Sequence, residues 1–323
     1  MLKNESNSFV FNLKQEPRLE AQFEHEAIPS FLSVIIPVYQ DVQGLTDTLF
    51  SLEKQTLSRS KFEIIVVNDG GDPAISAACA KFPVTEVVQV PNQGSYAARN
   101  AGLNKSRGAC IGLLDADEIV DPEWCANGFE ALSRAHVVVG QTRFILSSPP
   151  SLVEIWQEAH YFPVEQMVRQ RVAATANLFL RREVFEKVGW FDARLRSGGD
   201  LEFTYRAGQD ATLEFIHDPT VMCHHPARNY DQVIQSISRI AYGQLAAHQF
   251  DKQSRVPIPS FYRLFFPPAR LSTNDISHLH LGPIDYVRLY FFTWLLKWKT
   301  AMIRLSVGQR FRLGLDQRKA ASS

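Results

Sequence analysis

The sequence has few cysteines and no excess of charge of either sign. Its 323 residues include four cysteines, and no two of them form the C-x-x-C pair typical of a zinc or thiol-exchange site. Lysine plus arginine number 34, the same as aspartate plus glutamate. Proteins that coat nucleic acid normally carry a strong basic excess, so we expect no nucleic-acid partner. We expect the cysteines to be buried thiols in a reducing compartment.

Long apolar runs are also missing. Residues 1–20 are polar and acidic rather than basic and then apolar, which argues against a secretory signal. The longest strongly apolar stretch, 286–298, is interrupted by Arg288 and Lys297 and is too short to span a bilayer. These features predict a cytoplasmic protein.

Apolar segments alternate with amphipathic ones over the first 140 residues. Residues 31–38 and 62–67 are nearly continuous apolar runs, as in strands buried on both faces of a parallel sheet. Leucines spaced by three and four residues between them predict a crossover helix over 44–57. The alternation continues in a helix at 95–106, a strand at 110–114, a helix at 122–134 and strands at 137–139 and 175–180. The pattern predicts an α/β fold.

Three segments depart from this alternation. Residues 1–30 show little apolar periodicity and are predicted to be an N-terminal arm. A polar, helix-compatible insertion at 142–174 is expected to form a lid. After residue 230 the strand signals fade, and helices at 231–248 and 284–307 flank a proline-rich linker at 257–268. We therefore expect a core domain at 31–228 and a helical C-terminal extension at 229–323.

Two common phosphate-binding motifs are absent. No G-x-G-x-x-G follows the first strand, and no G-x-x-x-x-G-K-[ST] occurs in the sequence. Instead, Asn-Asp-Gly-Gly at 68–71 follows the second strand, at the edge where open α/β sheets bind ligands. Asp69 is placed to accept hydrogen bonds from a base or a ribose. The alternative is that these four residues simply form a turn.

A second acidic group follows the strand at 110–114. It consists of Asp115, Asp117 and Glu118. Mg²⁺ typically takes one or two carboxylates and fills its other positions with phosphate oxygens and water. The group therefore predicts a divalent-cation site, and the alternative is an acidic loop that caps the helix starting near Pro122.

Several segments together resemble the family 2 glycosyltransferases, nucleotide-sugar enzymes with the GT-A fold. They are SVIIPVY at 33–39, VVNDG at 66–70, NQG at 92–94, ARNAG at 98–102, LDAD at 114–117, TANLFLRR at 175–182, VGWFD at 188–192 and GGDLEF at 198–203. The resemblance covers residues 31–228. It implies a Rossmann-like, mainly parallel sheet flanked by helices, and a hexosyltransferase that uses a nucleoside-diphosphate sugar.

The resemblance also implies roles for individual residues. The donor nucleotide is expected to contact Pro37, Tyr39, Asp69, Asn92, Gly94, Arg99, Asp115 and Arg228. A Mn²⁺ or Mg²⁺ ion between the two phosphates is expected to bind Asp117, Asp115 and His225, and it would stabilise the charge that develops on the leaving diphosphate. His224 is the alternative imidazole ligand. A zinc site that uses Cys223 is less favoured, because no second ligand pair has suitable spacing.

The family's usual direct displacement inverts the anomeric centre and needs a general base on the acceptor hydroxyl. The resemblance points to Asp200. Gly199 stands where the family commonly has glutamate, which leaves Glu202 as a helper or a rival of Asp200. The alternative is that Gly198-Gly199-Asp200 only caps a helix, since aspartate is a favoured N-cap residue.

By resemblance, the favoured donor is a UDP-sugar and the acceptor a glycan or a lipid-linked molecule, in glycan, exopolysaccharide or glycolipid synthesis. The Q-x-x-R-W signature of processive synthases is absent, which favours transfer of a single sugar. Two rival functions stay open: a catalytically silent nucleotide-binding protein, and a membrane-attached assembly protein of a polysaccharide pathway. Gly199 is the feature that favours loss of catalysis.

The C-terminal forty residues combine basic and aromatic side chains. Residues 284–323 contain eight lysines and arginines but two aspartates, and aromatic residues precede most of that charge. This mixture is typical of an interfacial helix on an anionic membrane surface, and it predicts peripheral attachment to the inner face of a membrane. The alternative is a helix packed on the catalytic core with a basic face toward solvent.

Overall fold

A computed structural model describes residues 23–161, 163–250, 264–269, 271 and 274–312. Most of the predicted N-terminal arm, about half of the predicted linker and the residues after 312 lie outside this set. Within it, strands and helices alternate up to residue 226, and the chain is helical beyond that point.

The described residues include eight strands and ten helices, apart from short 3₁₀ turns at Arg59–Lys61 and Ser277–Leu279 and two helical residues at 264–265. The strands are Ile28–Val38 (β1), Phe62–Asp69 (β2), Thr85–Gln89 (β3), Gly108–Leu114 (β4), Ile119–Val120 (β5), Val137–Ile145 (β6), Asn177–Arg181 (β7) and Phe215–Pro226 (β8). The helices are Val42–Glu53 (α1), Pro73–Cys79 (α2), Ser95–Lys105 (α3), Trp124–Ala131 (α4), Leu152–His160 (α5), Val164–Arg169 (α6), Arg182–Val188 (α7), Gly199–Gln209 (α8), Tyr230–Phe250 (α9) and Pro283–Arg312 (α10).

All eight strands belong to one sheet, in the order β3-β2-β1-β4-β7-β6-β8-β5. β1 to β4 are mutually parallel where they pair. β7 is antiparallel to both of its neighbours, whereas β6 and β8 run parallel to each other. β1, β2, β4, β6 and β8 therefore end at the same edge of the sheet. This mixed, mainly parallel sheet confirms the predicted α/β class.

Helices cover both faces of the parallel half of the sheet. All of β2 is buried, as predicted for its unbroken apolar run. On one face, Leu45, Leu49 and Leu52 of α1 are at most 1% exposed and pack against β1. On the other face, α3 approaches so closely that a Cβ at Gly102 would lie 2.4 Å from Ile35 Cγ2. The sheet is thus a rigid platform for the loops at its carboxyl edge.

Several boundaries differ by a few residues from the sequence predictions, among them those of α1 and β6. α1 ends at Glu53 rather than at 57, and the chain then turns so that the Thr56 N–H donates to the Pro122 carbonyl at 2.8 Å. β6 extends to Ile145, so the first four residues of the predicted insertion belong to a strand. Its second half pairs with β8 after a bulge at Gly140 and Gln141. The insertion itself forms α5 and α6.

The C-terminal helices pack on the insertion. Leu289 of α10 joins Ile155 and Ala159 of α5 and Ile276 in a buried apolar cluster, and α10 also lies against α9. Throughout the described ranges, no helix combines the length and the apolarity needed to cross a membrane.

The four cysteines are reduced. Cys79, Cys125 and Cys223 are buried, and Cys110 is partly buried. Burial raises the pKa of both the Cys79 and the Cys110 thiols to about 11. The expectation of buried thiols is confirmed for three of the four.

Candidate active site

Charged side chains from distant parts of the chain meet at the carboxyl edge of the sheet. Loops after β2 and β4, the first turns of α3 and α8, and the end of β8 all contribute. Ligands of open α/β sheets bind at this edge, because the strand ends and the helix N-termini converge there. Most of the residues predicted for the site lie in these segments.

Asp69, at the end of β2, shapes the loop before α3. Its carboxylate accepts hydrogen bonds from the backbone N–H groups of Gln93 and Gly94, at 2.7 and 2.8 Å, and from Asn92 Nδ2 at 2.9 Å. A carboxylate has about four lone-pair positions, so the loop uses most of them. The structure thus directs Asp69 toward the loop, and the ligand contacts predicted for it can involve little of its carboxylate.

The turn predicted after Asp69 also forms. Gly70 and Gly71 have φ angles of +137° and +68°, a region that favours glycine. The ring of Tyr39 covers Gly70, where a Cβ would lie 3.0 Å from Tyr39 Cε2. Tyr39 is half exposed beside this turn, whereas Pro37 is buried within β1. The structure therefore offers Tyr39, and not Pro37, as an accessible surface for a base.

Arg99 and Asp115 form an ion pair between α3 and the end of β4. Arg99 Nη2 lies 2.5 Å from Asp115 Oδ1, and the guanidinium is buried while the carboxylate is half exposed. The positive group thus sits beneath the carboxylate and fixes its direction. Part of the Asp115 carboxylate remains exposed to solvent.

Asp200 is the second residue of α8 rather than its cap. Gly198 occupies the N-cap position with φ +78°, so the segment does begin the helix, but Asp200 is not its N-cap residue. The Tyr96 hydroxyl donates to Asp200 Oδ1 at 3.2 Å. Burial raises the pKa of Asp200, and the Leu201 backbone, Arg99 and Tyr96 offset part of this effect. Asp200 is therefore held in a setting that favours accepting a proton.

The close approach of the Tyr96 ring explains why residue 199 is a glycine. An added Cβ would lie 2.8 Å from two carbons of the Tyr96 ring, so no larger residue fits without moving the ring that contacts Asp200. Glu202, one turn later, forms an ion pair with Arg206 at 2.8 Å. Arg206 in turn donates to the carbonyls of Val188 and Trp190. The structure thus engages Glu202 in holding the loop before α8.

Asp117, His225 and Arg228 form a compact polar group. His225 Nε2 lies 3.1 Å from Asp117 Oδ2 and 3.0 Å from Arg228 Nη2. Burial raises the pKa of Asp117, but the hydrogen bond and positive charge of His225 and Arg228 outweigh it and lower that pKa. His224 instead contacts Asp121 at 3.0 Å. Of the two predicted histidines, the structure brings His225 to the acidic group.

Glu118 belongs to the predicted acidic group, but it was not among the metal ligands that the resemblance implied. It is fully buried, and neither carboxylate oxygen has a hydrogen-bond partner in the described part of the chain. Burial raises its pKa to about 8, although His225 and Cys223 partly offset this. Asp117, Glu118 and His225 offer ligand atoms that all lie within 4.8 Å of one another. An acidic residue directly after the D-x-D segment was the only sequence signal for it.

Carboxylate and imidazole donors with one unsatisfied buried carboxylate suit a divalent cation. The group differs from the predicted ligand set, because Asp115 pairs with Arg99 and lies outside the three-residue cluster.

Gln157 of α5 holds Arg228 in place. Its side chain is fully buried, accepts from the Arg228 N–H at 3.0 Å and donates to the Arg228 carbonyl at 2.7 Å. The Arg228 guanidinium carbon then lies 5.9 Å from the ring centre of Tyr161. The insertion therefore positions the Arg228 guanidinium at the site, through Gln157, a residue that belongs to no recognised sequence motif.

Comparisons with known proteins agree with this geometry. Residues 33–189 match the family model described as Glycosyl transferase family 2. Glycosyltransferase AglE of Haloferax volcanii is 33% identical over 233 residues, which are 69% of this chain and 76% of AglE. The uncharacterized glycosyltransferase YwdF of Bacillus subtilis is 30% identical over 194 residues, or 57% of this chain and 70% of YwdF.

Two solved structures share the fold. The mannosyltransferase PcManGT of Pyrobaculum calidifontis, in complex with GDP-Man and Mn²⁺, has a TM-score of 0.52 at 18% identity and covers 93% of this chain and 84% of its own. Residues 1–349 of S. aureus TarS, in complex with UDP-GlcNAc, have a TM-score of 0.52 at 15% identity over 88% and 92% of the two chains. The predicted GT-A fold with a C-terminal helical part is confirmed.

Proposed function

Because this chain belongs to the family 2 glycosyltransferases, we propose that it transfers a single hexosyl group from a nucleoside-diphosphate sugar to an acceptor hydroxyl, with inversion. The observation that carries the proposal is the meeting of four groups at one sheet edge. Asp200, the Arg99–Asp115 pair, the Asp117–Glu118–His225 cluster and Arg228 lie there together. These are the charges that a diphosphate donor and a hydroxyl acceptor require.

In this proposal the nucleotide lies along the ends of β1, β2 and β4. The half-exposed Tyr39 ring supports the base, and the exposed side of Asp115 accepts hydrogen bonds from the ribose. Asn92 and Gly94 line the remaining side of the nucleotide site, in the conformation that their hydrogen bonds to Asp69 impose. Pro37 shapes the strand end from within the sheet.

Asp117, Glu118 and His225 would hold the Mn²⁺ or Mg²⁺ ion. When bound, a divalent cation stabilises the negative charge of the departing diphosphate. Arg228 lies 3.9 Å from Asp117 and adds a guanidinium that can pair with phosphate oxygens. Gln157 fixes the backbone that carries this guanidinium.

Asp200 acts as the general base. The acceptor oxygen attacks the anomeric carbon, its proton passes to the Asp200 carboxylate, and the bond to the diphosphate breaks on the opposite face. The raised pKa of Asp200 suits this role, because a base should hold the proton well enough to accept it. Glu202 is engaged with Arg206, so we assign the base to Asp200 alone.

We further propose that residues 31–228 are the catalytic domain and that the insertion, α5 and α6, faces the acceptor. The acceptor is a glycan or a lipid-linked molecule, in glycan, exopolysaccharide or glycolipid synthesis on the cytoplasmic side. The alternative function, a catalytically silent protein, was suggested by Gly199, which stands where the family commonly has glutamate. The contact of Gly199 with Tyr96 gives that glycine a structural reason within an active site.

A thermal-shift screen tests the proposal. UDP-sugars come first and GDP- and dTDP-sugars next, each with Mn²⁺ and with chelator, because a ligand of the folded state raises the melting temperature. We expect a metal-dependent rise with one nucleotide class and slow hydrolysis of that donor without acceptor. Binding without hydrolysis or transfer would support the silent-protein alternative. No binding of any donor would contradict the assigned pocket.

A further inference from the structure

Six large apolar side chains of α10 face solvent along one side of the helix. Ile284, Val287, Phe291, Leu295, Trp298 and Met302 are between 44% and 67% exposed. Their spacings of three and four residues place them on one face. At a rise of about 1.5 Å per residue, this α10 apolar stripe is about 27 Å long.

The opposite side of α10 is already occupied by the protein. Leu289, Leu296 and Ala301 are at most 1% exposed, and the helix packs on α9 and α5. The predicted alternative of a helix packed on the core therefore describes one side of α10. The side turned to solvent is apolar rather than basic, and exposed apolar surface of this extent marks an interaction site.

The edges of the stripe show what chemistry it fits. Arg288 and Lys299 are exposed, and their separation of eleven positions is about three helical turns, so both lie along the same edge. Between residues 286 and 312 the sequence has six lysines and arginines and no acidic residue. The stripe therefore lies in a mainly cationic segment, whose one acidic residue, Asp285 at its N-terminal end, lies 3.7 Å from Arg288.

An exposed aromatic residue lies beside the stripe on a neighbouring segment. Lys297 Nζ donates to the Phe266 carbonyl at 2.8 Å, and the Phe265 ring contacts Trp298 at a centroid distance of 4.8 Å. These contacts pin the segment against α10 and leave the Phe266 side chain 67% exposed. The apolar surface is thus wider than one helix face.

We propose that the α10 apolar stripe docks this protein on the surface of an anionic lipid bilayer, with α10 lying in the plane of the interface. Apolar and aromatic side chains enter the boundary between headgroups and acyl chains, while flanking cations meet anionic headgroups. A second copy of the chain fits less well, because pairing two such helices would bring their cations together with Asp285 as the single acidic residue of each helix. The inference does not depend on the proposed transfer reaction.

Sedimentation of the full-length protein with lipid vesicles tests this proposal. We compare vesicles of phosphatidylcholine alone with vesicles that contain about 30% phosphatidylglycerol. The stripe variant is Phe291→Gln with Leu295→Gln, and its control is Ile28→Gln with Phe50→Gln, two exposed apolar residues outside the C-terminal extension. The charge variant is Arg288→Gln with Lys299→Gln, and its control is Lys54→Gln with Lys81→Gln.

We expect the wild-type protein to pellet with the anionic vesicles and to be released by high salt. The stripe variant should bind at least about tenfold more weakly and the charge variant about threefold more weakly, while both controls bind like wild type. Thermal unfolding and donor-induced shifts should be unchanged in all variants, which separates this test from that of the enzyme. Equal binding of the stripe variant and wild type would overturn the proposal. A wild-type dimer in sedimentation velocity that the stripe substitutions convert to a monomer would also overturn it, since the stripe would then be a subunit interface.

Discussion

The ring nitrogen of His225 that faces the Asp117 carboxylate is Nε2. In the neutral ring this nitrogen carries no hydrogen. The other nitrogen, Nδ1, lies 2.6 Å from the Pro226 carbonyl oxygen, which can only accept, so the hydrogen of a neutral ring is on Nδ1. Nε2 then carries a lone pair that faces Asp117 at 3.1 Å and can accept a hydrogen bond from Arg228 Nη2 at 3.0 Å. The arrangement is satisfied by a second proton, which agrees with the raised pKa of His225, or by a cation between the two groups.

Replacing Asp117 tests this cation site. Asp117→Ala removes one of the three clustered metal ligands. The affinity for Mn²⁺ in the presence of the nucleotide should therefore fall by more than about 100-fold. Asp121→Ala is the matched control, because Asp121 contacts His224 outside the cluster. Calorimetric titration of Mn²⁺ with UDP present measures both. Unchanged Mn²⁺ affinity in the Asp117 variant would exclude it as a ligand.

Asp200 gives a second prediction at this scale. Asp200→Asn keeps the size of the side chain but removes the proton acceptor, so transfer should fall by about 10²- to 10⁴-fold while donor binding is retained. Glu202→Gln breaks the ion pair with Arg206 and should lower stability more than the rate per folded molecule. Initial rates and donor-induced melting shifts separate the two. Normal turnover of the Asp200 variant would shift attention to Glu202.

At the scale of elements, burial decides which strands the sequence reveals. β1, β2 and β4 are continuous apolar runs because both of their faces are covered, and they were predicted to within three residues. β8 and the second half of β6 were missed. Both carry polar residues among apolar ones, and the pairing of Gln141 with Met222 that makes them strands is a contact between distant segments. The short α2, β3, β5 and α7 escaped detection for lack of a long periodic pattern.

The same limit applies to the candidate site. Motifs and resemblance identified Arg99, Asp117 and Asp200, because these residues belong to contiguous segments. Glu118 and Gln157 gain their importance from burial and from partners far along the chain, neither of which the local sequence contains. The loop contacts of Asp69 and the ion pair of Glu202 were hidden for the same reason.

α5 gives a prediction about acid stability. It begins with a capping box in which Ser151 and Glu154 bond to each other's backbone N–H groups. Slight burial raises the pKa of Glu154, but hydrogen bonds from Ser151 and Ser147 outweigh it and lower the pKa from 4.5 to about 2. Because the folded-state pKa is depressed, this stabilisation is complete above pH 4.5 and is lost as the pH falls toward 2.

Glu154→Gln should therefore be less stable than wild type near neutral pH by no more than about 1 kcal/mol, since the group is largely exposed. The difference should vanish as the pH approaches 2. Urea unfolding of both proteins between neutral and acidic pH measures it. A Ser147→Ala background should shrink the difference, and a difference independent of pH would contradict the assignment.

On the scale of the whole molecule, the C-terminal helices pack at two places on segments that hold site residues. α10 packs on α5, whose Gln157 holds Arg228. α9 reaches the loop before Asp200, where a Cβ at Gly243 would lie 2.3 Å from Ser197 Cβ. Arg304 of α10 donates to Gln244 beside this contact. The extension is thus packed into the catalytic part at both the cation side and the base side.

Two glycines test this coupling as a matched pair. Gly243→Ala should cost about 1–3 kcal/mol and should slow transfer more than it weakens donor binding, because Ser197 must move. Gly308→Ala, in α10 with nothing within 4 Å, should instead stabilise by about 0.5–1 kcal/mol through helix propensity. Urea unfolding and transfer rates measure both. Equal stability of the Gly243 variant and wild type would contradict this coupling, because the loop that carries Ser197 would then move without loss of unfolding free energy.

The four free thiols can report local unfolding of the protein. Cys79, Cys110, Cys125 and Cys223 lie in α2, β4, α4 and β8, and so sample the edge, the centre, one face and the far side of the sheet. A buried, protonated thiol reacts with a maleimide only after its surroundings open. Peptide mass spectrometry of a maleimide-labelling time course would therefore rank the order in which these regions open, with no engineered cysteine.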